Sequence, residues 1–221
     1  SGEDRENALE KGSFYVTDEE RTALHRICEQ FDKVTLLLNI GSVIDMSWIR
    51  EFDGKIGAIL IVWQGGMESG NAVADLLCGK VTPSGKLTDT IAIKYEDYPS
   101  SAHFGNLKFN EYVEDIYVGY RWFETFAKDR VLYPFGYGLG YTTFSQEVTD
   151  VKKDGDNITI SLTVKNTGDY SGKDVVQVYS SAPQGALGKP ARELVAFKKT
   201  KLLQKGESEQ ITLKINVCAL A

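Results

Sequence analysis

The stretch "IGAILIVWQGGMESGNAVADLLCGK", residues 56–80, sets the class of fold. It opens with "IGAILIVW", an apolar run of strand length, which suits a strand covered on both faces. Gly65 and Gly66 interrupt that run, and "MESGNAVADLLCGK" continues at helical spacing until Gly79 stops it. Strand, turn and helix in that order form a βα unit, and such units assemble mostly parallel sheets. The turn itself, "WQGGMESG", falls where open α/β sheets place ligand or partner contacts.

Upstream the alternation repeats. "TDEERTALHRICEQF" begins with a capping box, Thr17 and Glu20, and sets Leu24, Ile27, Cys28 and Phe31 on one helical face. "KVTLLLNI" follows as a second continuous apolar strand expected to be covered on both faces. "SVIDMSWIREF" reads as a short helix with Ser42 as its cap and Gly54 as its stop. Downstream, from about residue 145, the period changes to two. "SQEVTDVKKDG", "NITISLTVKNTG", "KDVVQVYSSAP", "ELVAFKKTKLLQKGE" and "SEQITLKINV" alternate in polarity between turn residues, which predicts an antiparallel β-sandwich. An immunoglobulin-type sandwich takes about seven strands. With five here, the expectation is a domain cut short at Ala221.

The expected division is therefore an α/β domain over 1–130, a connection over 131–144 and a β domain over 145–221. The connection reads "VLYPFGYGLGYTTF", where Gly136, Gly138 and Gly140 alternate with Phe135, Tyr137 and Tyr141. Glycine serves where φ is positive or where another segment comes close. A dinucleotide fingerprint is excluded because the third glycine comes one residue early.

Composition narrows the function. The 221 residues carry a net charge of −6, with 42% hydrophobic and 25% charged residues, an ordinary globular profile. The acidic balance and the lack of a basic run speak against nucleic-acid binding. No apolar run approaches the roughly 18 residues of a spanning helix, so no membrane partner is expected. Cys28, Cys78 and Cys218 lie in apolar patterns and read as small core residues of a reducing compartment. His25 and His103 have no neighbour at ligand spacing, so no metal site is expected. A nucleotide-binding reading of "WQGGMESG" lacks the Walker lysine.

"LLLNIGSVIDMSW", "ILIVWQGGMESGNAVADLLCGKVTPSGKL", "EDIYVGYRWFE", "YPFGYGLGYTTF" and "VKNTGDYSGKDVVQVYSSAP" occur in this order. In order and spacing they resemble the C-terminal part of glycoside hydrolase family 3, of the bacterial β-glucosidase type, over essentially the whole chain. The resemblance implies a partial α/β sandwich, a mostly parallel sheet flanked by helices, followed by a fibronectin type III-like antiparallel β-sandwich. It implies that the first strands of the former and the last of the latter are missing. It makes residues 131–144 an interdomain hinge sealed by its aromatics. Gly140 stands where the family commonly has Ser, Thr88 where Pro is frequent, and Gln204 where Pro often precedes a Gly-Glu turn.

Members of the family carry the nucleophile, an Asp in a Ser-Asp-Trp motif, on an N-terminal (β/α)8 barrel. Neither that motif nor an eightfold βα pattern occurs here. The resemblance thus implies a barrel as partner, a β-linked glucoside or oligosaccharide as substrate, and no cofactor. In members of this type a Ser-Gly-Glu segment supplies the general acid/base. The match is "SGEDREN", and the residue is Glu3. Trp63, Gln64 and Glu68 are candidates for a sugar subsite, the competing role being packing against the barrel or capping of the helix. Asp115, Tyr117, Tyr120, Arg121 and Trp122 read as interdomain packing with an internal ion pair. The expected function is the C-terminal part of a retaining, exo-acting β-glucosidase, inactive without its barrel. The alternative is a noncatalytic carbohydrate- or partner-binding scaffold module. A cytoplasmic location is expected, with periplasm, secretion and homo-oligomerisation left open.

Overall fold

The computed structural model describes residues 12, 14–103, 108–109, 111–186 and 188–217. Helix α1, Asp18–Gln30, is followed by strand β1, Val34–Leu38, a 3-10 turn over Ser47–Phe52, and strand β2, Ile56–Ile61. Helix α2, Ser69–Leu77, comes next, then the short strand β3, Ile91–Ala92, helix α3, Tyr120–Phe126, and β4, Val131–Tyr133. Five longer strands complete the order: β5 (Phe144–Asp154), β6 (Asn157–Asn166), β7 (Val175–Ser180), β8 (Glu193–Lys199) and β9 (Ser208–Asn216). The chain packs as two compact units. One takes the chain up to Val73, Asp89–Asp115 and Ala127–Pro134; the other takes Ala74–Thr88, Ile116–Phe126 and the chain from Phe135 on.

In the first unit β1 and β2 pair in parallel, with Leu36 beside Ile59 and Leu38 beside Ile61. The capping box of α1 forms: the Glu20 N–H donates to Thr17 Oγ1 at 3.2 Å, and the Thr17 N–H to the Glu20 carboxylate at 3.0 Å. The helix buries Cys28 against Trp48 and Phe52, with Leu24, Val34, Leu36 and Ile56 around them. Ile27 and Phe31, expected on the same inward face, are exposed. Full cover of the sheet is also not met. Leu37 is 40% exposed, and β1 alternates in burial instead of being buried throughout, whereas Ile59, Leu60 and Ile61 of β2 are all partly buried.

The expected helix capped by Ser42 is replaced by a shorter turn. Asp45 turns the chain into it, accepting from the Ser47 N–H at 3.1 Å and the Ser47 hydroxyl at 3.0 Å. The Trp48 indole N–H returns to the Asp45 carbonyl at 2.7 Å, which draws the chain into a 3-10 turn around a buried ring. Of the cysteines, Cys28 is buried as expected, Cys78 is exposed at the end of α2, and Cys218 lies outside the described residues.

In the second unit β5, β6 and β9 form one antiparallel sheet, and β7 and β8 another. Leu162 and Val164 of β6, and Ile211 and Leu213 of β9, meet Val176 and Leu203 in a shared core. The alternating inward positions of β9, Ile211, Leu213 and Ile215, are its buried ones, as the two-residue period requires. The five strands anticipated from alternation are present as a sandwich of three and two.

The glycine spacing of residues 136–140 now has a cause. This segment runs beside Thr82–Leu87: the Gly136 N–H donates to the Leu87 carbonyl at 2.8 Å and the Leu87 N–H to the Tyr137 carbonyl at 2.7 Å. A Cβ on Gly138 would lie 2.6 Å from the Gly85 oxygen, and one on Gly140 2.8 Å from the Pro83 oxygen. Gly136 has φ +79° and faces the Gln177 amide. Every second residue thus meets backbone or a fixed side chain, where a methyl group does not fit. Lys86 closes the contact, donating to the Gly138 carbonyl at 2.8 Å and pairing with Asp174 at 3.4 Å. Of the neighbouring aromatics, Phe135 stacks on Tyr120 at 4.4 Å, whereas Tyr137 and Tyr141 stay exposed. Gly138→Ala should destabilise this unit by about 1–3 kcal/mol, the range for forcing atoms into a filled site. Gly85→Ala, whose Cβ would meet nothing within 4 Å, is the control. Urea midpoints compare the two, and equal midpoints would remove this explanation.

Candidate functional site

The parallel pair β1 and β2 ends on one edge, where the chain turns outward after Leu38 and after Ile61. The ladder continues for one residue past β2, with the Val62 N–H donating to the Leu38 carbonyl at 2.8 Å. Trp63 then leaves it with φ +56°, a left-handed backbone that bulky L-residues seldom adopt. Residues 64–68 are exposed, and Met67 is 102% exposed. Gly65 lies against the Ser69 side chain, which leaves no room for a Cβ. The Ser69 N–H donates to the Gly66 carbonyl at 3.0 Å and so turns the chain into α2.

The three residues predicted in this turn take different roles. The Glu68 carboxylate accepts from the Asn71 side-chain amide at 2.5 Å, an i to i+3 contact at the start of α2. The bond is between side chains and leaves the backbone N–H groups of the helix start untouched. Trp63 is half-buried and Gln64 exposed, and neither side chain bonds a described residue. Glu3 lies outside the described residues. Among the described residues no group of three or more His, Cys, Asp and Glu side chains could hold a metal ion, and no helix is long and apolar enough to cross a membrane.

The predicted ion pair is corrected. Arg121 pairs with Glu193 at 3.2 Å within the second unit, not with Asp115. Asp115 belongs to the other unit and takes φ +47°, a conformation short polar side chains tolerate. Around α3 the Tyr120 hydroxyl accepts the Leu194 N–H at 2.7 Å, and Arg192 pairs with Glu124 at 3.5 Å while facing the Tyr179 ring. Burial holds the Tyr179 hydroxyl above its ordinary pKa, with the Tyr120 hydroxyl adding to the effect. Sequence reasoning missed Asp45 and Asn166 as organising residues. Asn166 is completely buried, and nothing in "VKNTG" separates it from an ordinary turn residue.

Residues 1–141 match the glycosyl hydrolase family 3 C-terminal domain, and residues 174–221 the fibronectin type III-like domain. A β-glucosidase of Ruminococcus albus is 47% identical over 215 residues, covering 97% of this chain and 22% of that protein. The crystal structure of a β-glucosidase from Paenibacillus barengoltzii superimposes with TM-score 0.93 at 56% identity, over 98% of this chain and 24% of the other. The structure of β-glucosidase 3B from Thermotoga neapolitana in complex with glucose gives TM-score 0.87 at 45% identity, over 96% and 30%. The chain therefore spans less than a third of the length of these relatives. The βα turn carrying "WQGGMESG", the parallel strand pair and the five-stranded sandwich agree with these matches, and the chain belongs to glycosyl hydrolase family 3, as its C-terminal domain followed by a fibronectin type III-like domain.

Proposed function

We propose that this chain is the C-terminal portion of a retaining, exo-acting β-glucosidase that removes terminal β-glucosyl residues from oligosaccharides or glycosides. In this reading Glu3 supplies the general acid/base, and the nucleophilic Asp comes from a preceding (β/α)8 barrel. The observation that carries the reading is the 47% identity to a β-glucosidase over 97% of this chain. The complex of the Thermotoga neapolitana enzyme with glucose supports the choice of sugar.

The chemistry explains why two parts are needed. Retaining glycosidases set two carboxyl groups about 5–5.5 Å apart, one to attack the anomeric carbon and one to protonate the leaving oxygen. The second then deprotonates the water that hydrolyses the glycosyl-enzyme. The acid must stay protonated at working pH, so burial or a neighbouring carboxylate has to raise its pKa. A barrel carboxylate across the active site provides the neighbour. The carboxyl of Glu3 alone has no partner nucleophile.

Two preparations test this. The full-length protein should hydrolyse nitrophenyl β-glucoside in preference to the corresponding xyloside, galactoside and N-acetylglucosaminide. Purified residues 1–221 should hydrolyse none of them. Turnover by the isolated chain, or a full-length protein without β-glucosidase activity, would contradict the proposal.

A further inference from the structure

Trp63 stands apart from the other two tryptophans of the chain. Trp48 is 3% exposed and its indole N–H donates to Asp45. Trp122 lies 4.8 Å from the Phe126 ring. Trp63 is half-buried, makes no ring contact and no hydrogen bond with any described residue, and sits on a backbone of φ +56°. Trp122 is covered to a similar degree, so what sets Trp63 apart is its unbonded indole, its lack of an aromatic partner and its backbone. Turn formation does not account for that backbone, because a left-handed position is best filled by glycine, and glycine occupies positions 65 and 66.

A bulky residue held in a left-handed conformation is a pattern found at ligand clamps. The place fits as well. Trp63 is the first residue beyond the ladder at the carboxyl edge of β1 and β2, where α/β sheets bind ligands. The same turn carries an unbonded amide, Gln64, and the fully exposed Met67. An aromatic face with an adjacent amide suits a pyranose, whose axial C–H groups stack on the ring while its hydroxyls take hydrogen bonds.

We infer that Trp63 is a specificity-determining residue that stacks on the aglycone side of the substrate, on the sugar that leaves rather than the glucosyl unit that is transferred. This rests on the β-glucosidase reading above. Gln64 offers its amide to that sugar's hydroxyls. Glu68, held by Asn71, takes no part.

The test is Trp63→Ala in the full-length enzyme, with cellotriose, whose aglycone is a disaccharide, and methyl β-glucoside, whose aglycone is a methyl group. Trp63→Ala should lower kcat/KM for cellotriose relative to methyl β-glucoside by about tenfold, the factor expected for losing roughly 55 Å² of apolar contact. The change should lie mainly in KM, because stacking is present before and during bond cleavage. Trp63→Phe should restore most of the ratio. An equal loss on both substrates with a lowered Tm would assign the ring to packing and overturn the inference. An unchanged ratio in an active enzyme would overturn it too. A wild-type enzyme without activity on any β-glucoside would instead remove the reading on which the inference rests, and the inference with it.

Discussion

Glu3→Ala in the full-length enzyme should lower kcat/KM on substrates with poor leaving groups, such as cellobiose and methyl β-glucoside, by about 10²–10⁴-fold. General acid assistance matters most where the departing oxygen is a strong base. A nitrophenolate needs little protonation, so formation of the glycosyl-enzyme from a nitrophenyl glucoside should largely survive. The second step should then limit turnover, because water attacks without a base, and a burst of nitrophenol should precede a slow steady state. Replacing neighbouring Asp4 by Ala should give no such dependence on the leaving group. Wild-type rates for Glu3→Ala on cellobiose would assign the acid elsewhere.

The largest effect on stability is expected at Asn166. Its side chain is fully buried at 0% exposure and uses both donors and both acceptor sites. Its Oδ1 accepts from the Thr142 hydroxyl at 2.7 Å and the Gly168 N–H at 3.1 Å. Its Nδ2 donates to the carbonyls of Tyr170 at 2.8 Å and Leu203 at 2.9 Å. Asn166→Asp keeps the shape and turns the donor side into an oxygen facing two carbonyls. That leaves buried acceptors unpaired and adds a charge the core cannot solvate. The expected loss is about 3–5 kcal/mol, a large fraction of the 5–15 kcal/mol typical of a domain.

The pH dependence of that loss has a definite sign. Burial and the two carbonyl oxygens disfavour ionisation, so the folded-state pKa of the introduced carboxyl is raised above its unfolded value. The part of the stability that depends on its proton is present below the unfolded value and lost as pH rises through the folded one. Urea denaturation at pH 4 and pH 8 measures both terms. A loss under 1 kcal/mol, or one that shrinks at high pH, would show that Asn166 does not hold these three segments together.

What could be read from the sequence divides along physical lines. Local chemistry was legible. The Thr17 and Glu20 capping box, the βα unit at 56–80 and the alternation of β9 each depend on residues a few positions apart, and each is found in place. Features that depend on distant partners were not. Ser42 looked like a cap because it precedes an apolar run, yet the turn is set by Asp45 and the Trp48 indole. Arg121 had a nearby acid in Asp115 but pairs with Glu193, 72 positions on. The glycines of 136–140 were conspicuous, but their reason lies in the oxygens of Pro83 and Gly85. Continuous apolar composition in β1 suggested cover on both faces, and composition cannot say which atoms supply it. At the candidate site the turn between β2 and α2 was legible from its glycines, whereas the strained φ of Trp63 has no signature in residue type. The proposal for Glu3 rests only on the family resemblance, since a glutamate in "SGEDREN" carries no local mark of catalysis.

The central claim is that this chain contributes the acid/base of a retaining β-glucosidase. Azide rescue of Glu3→Ala in the full-length enzyme tests it most directly. Azide is a nucleophile that needs no general base, so it can discharge a glycosyl-enzyme that water attacks slowly. With a nitrophenyl β-glucoside, added azide should raise kcat of the variant and leave the wild-type enzyme unaffected. The product should be glucosyl azide of β configuration, because attack on an α-linked intermediate inverts the centre a second time. Absence of rescue, or a glucosyl azide of α configuration, would contradict the assignment of Glu3 as acid/base of a retaining enzyme.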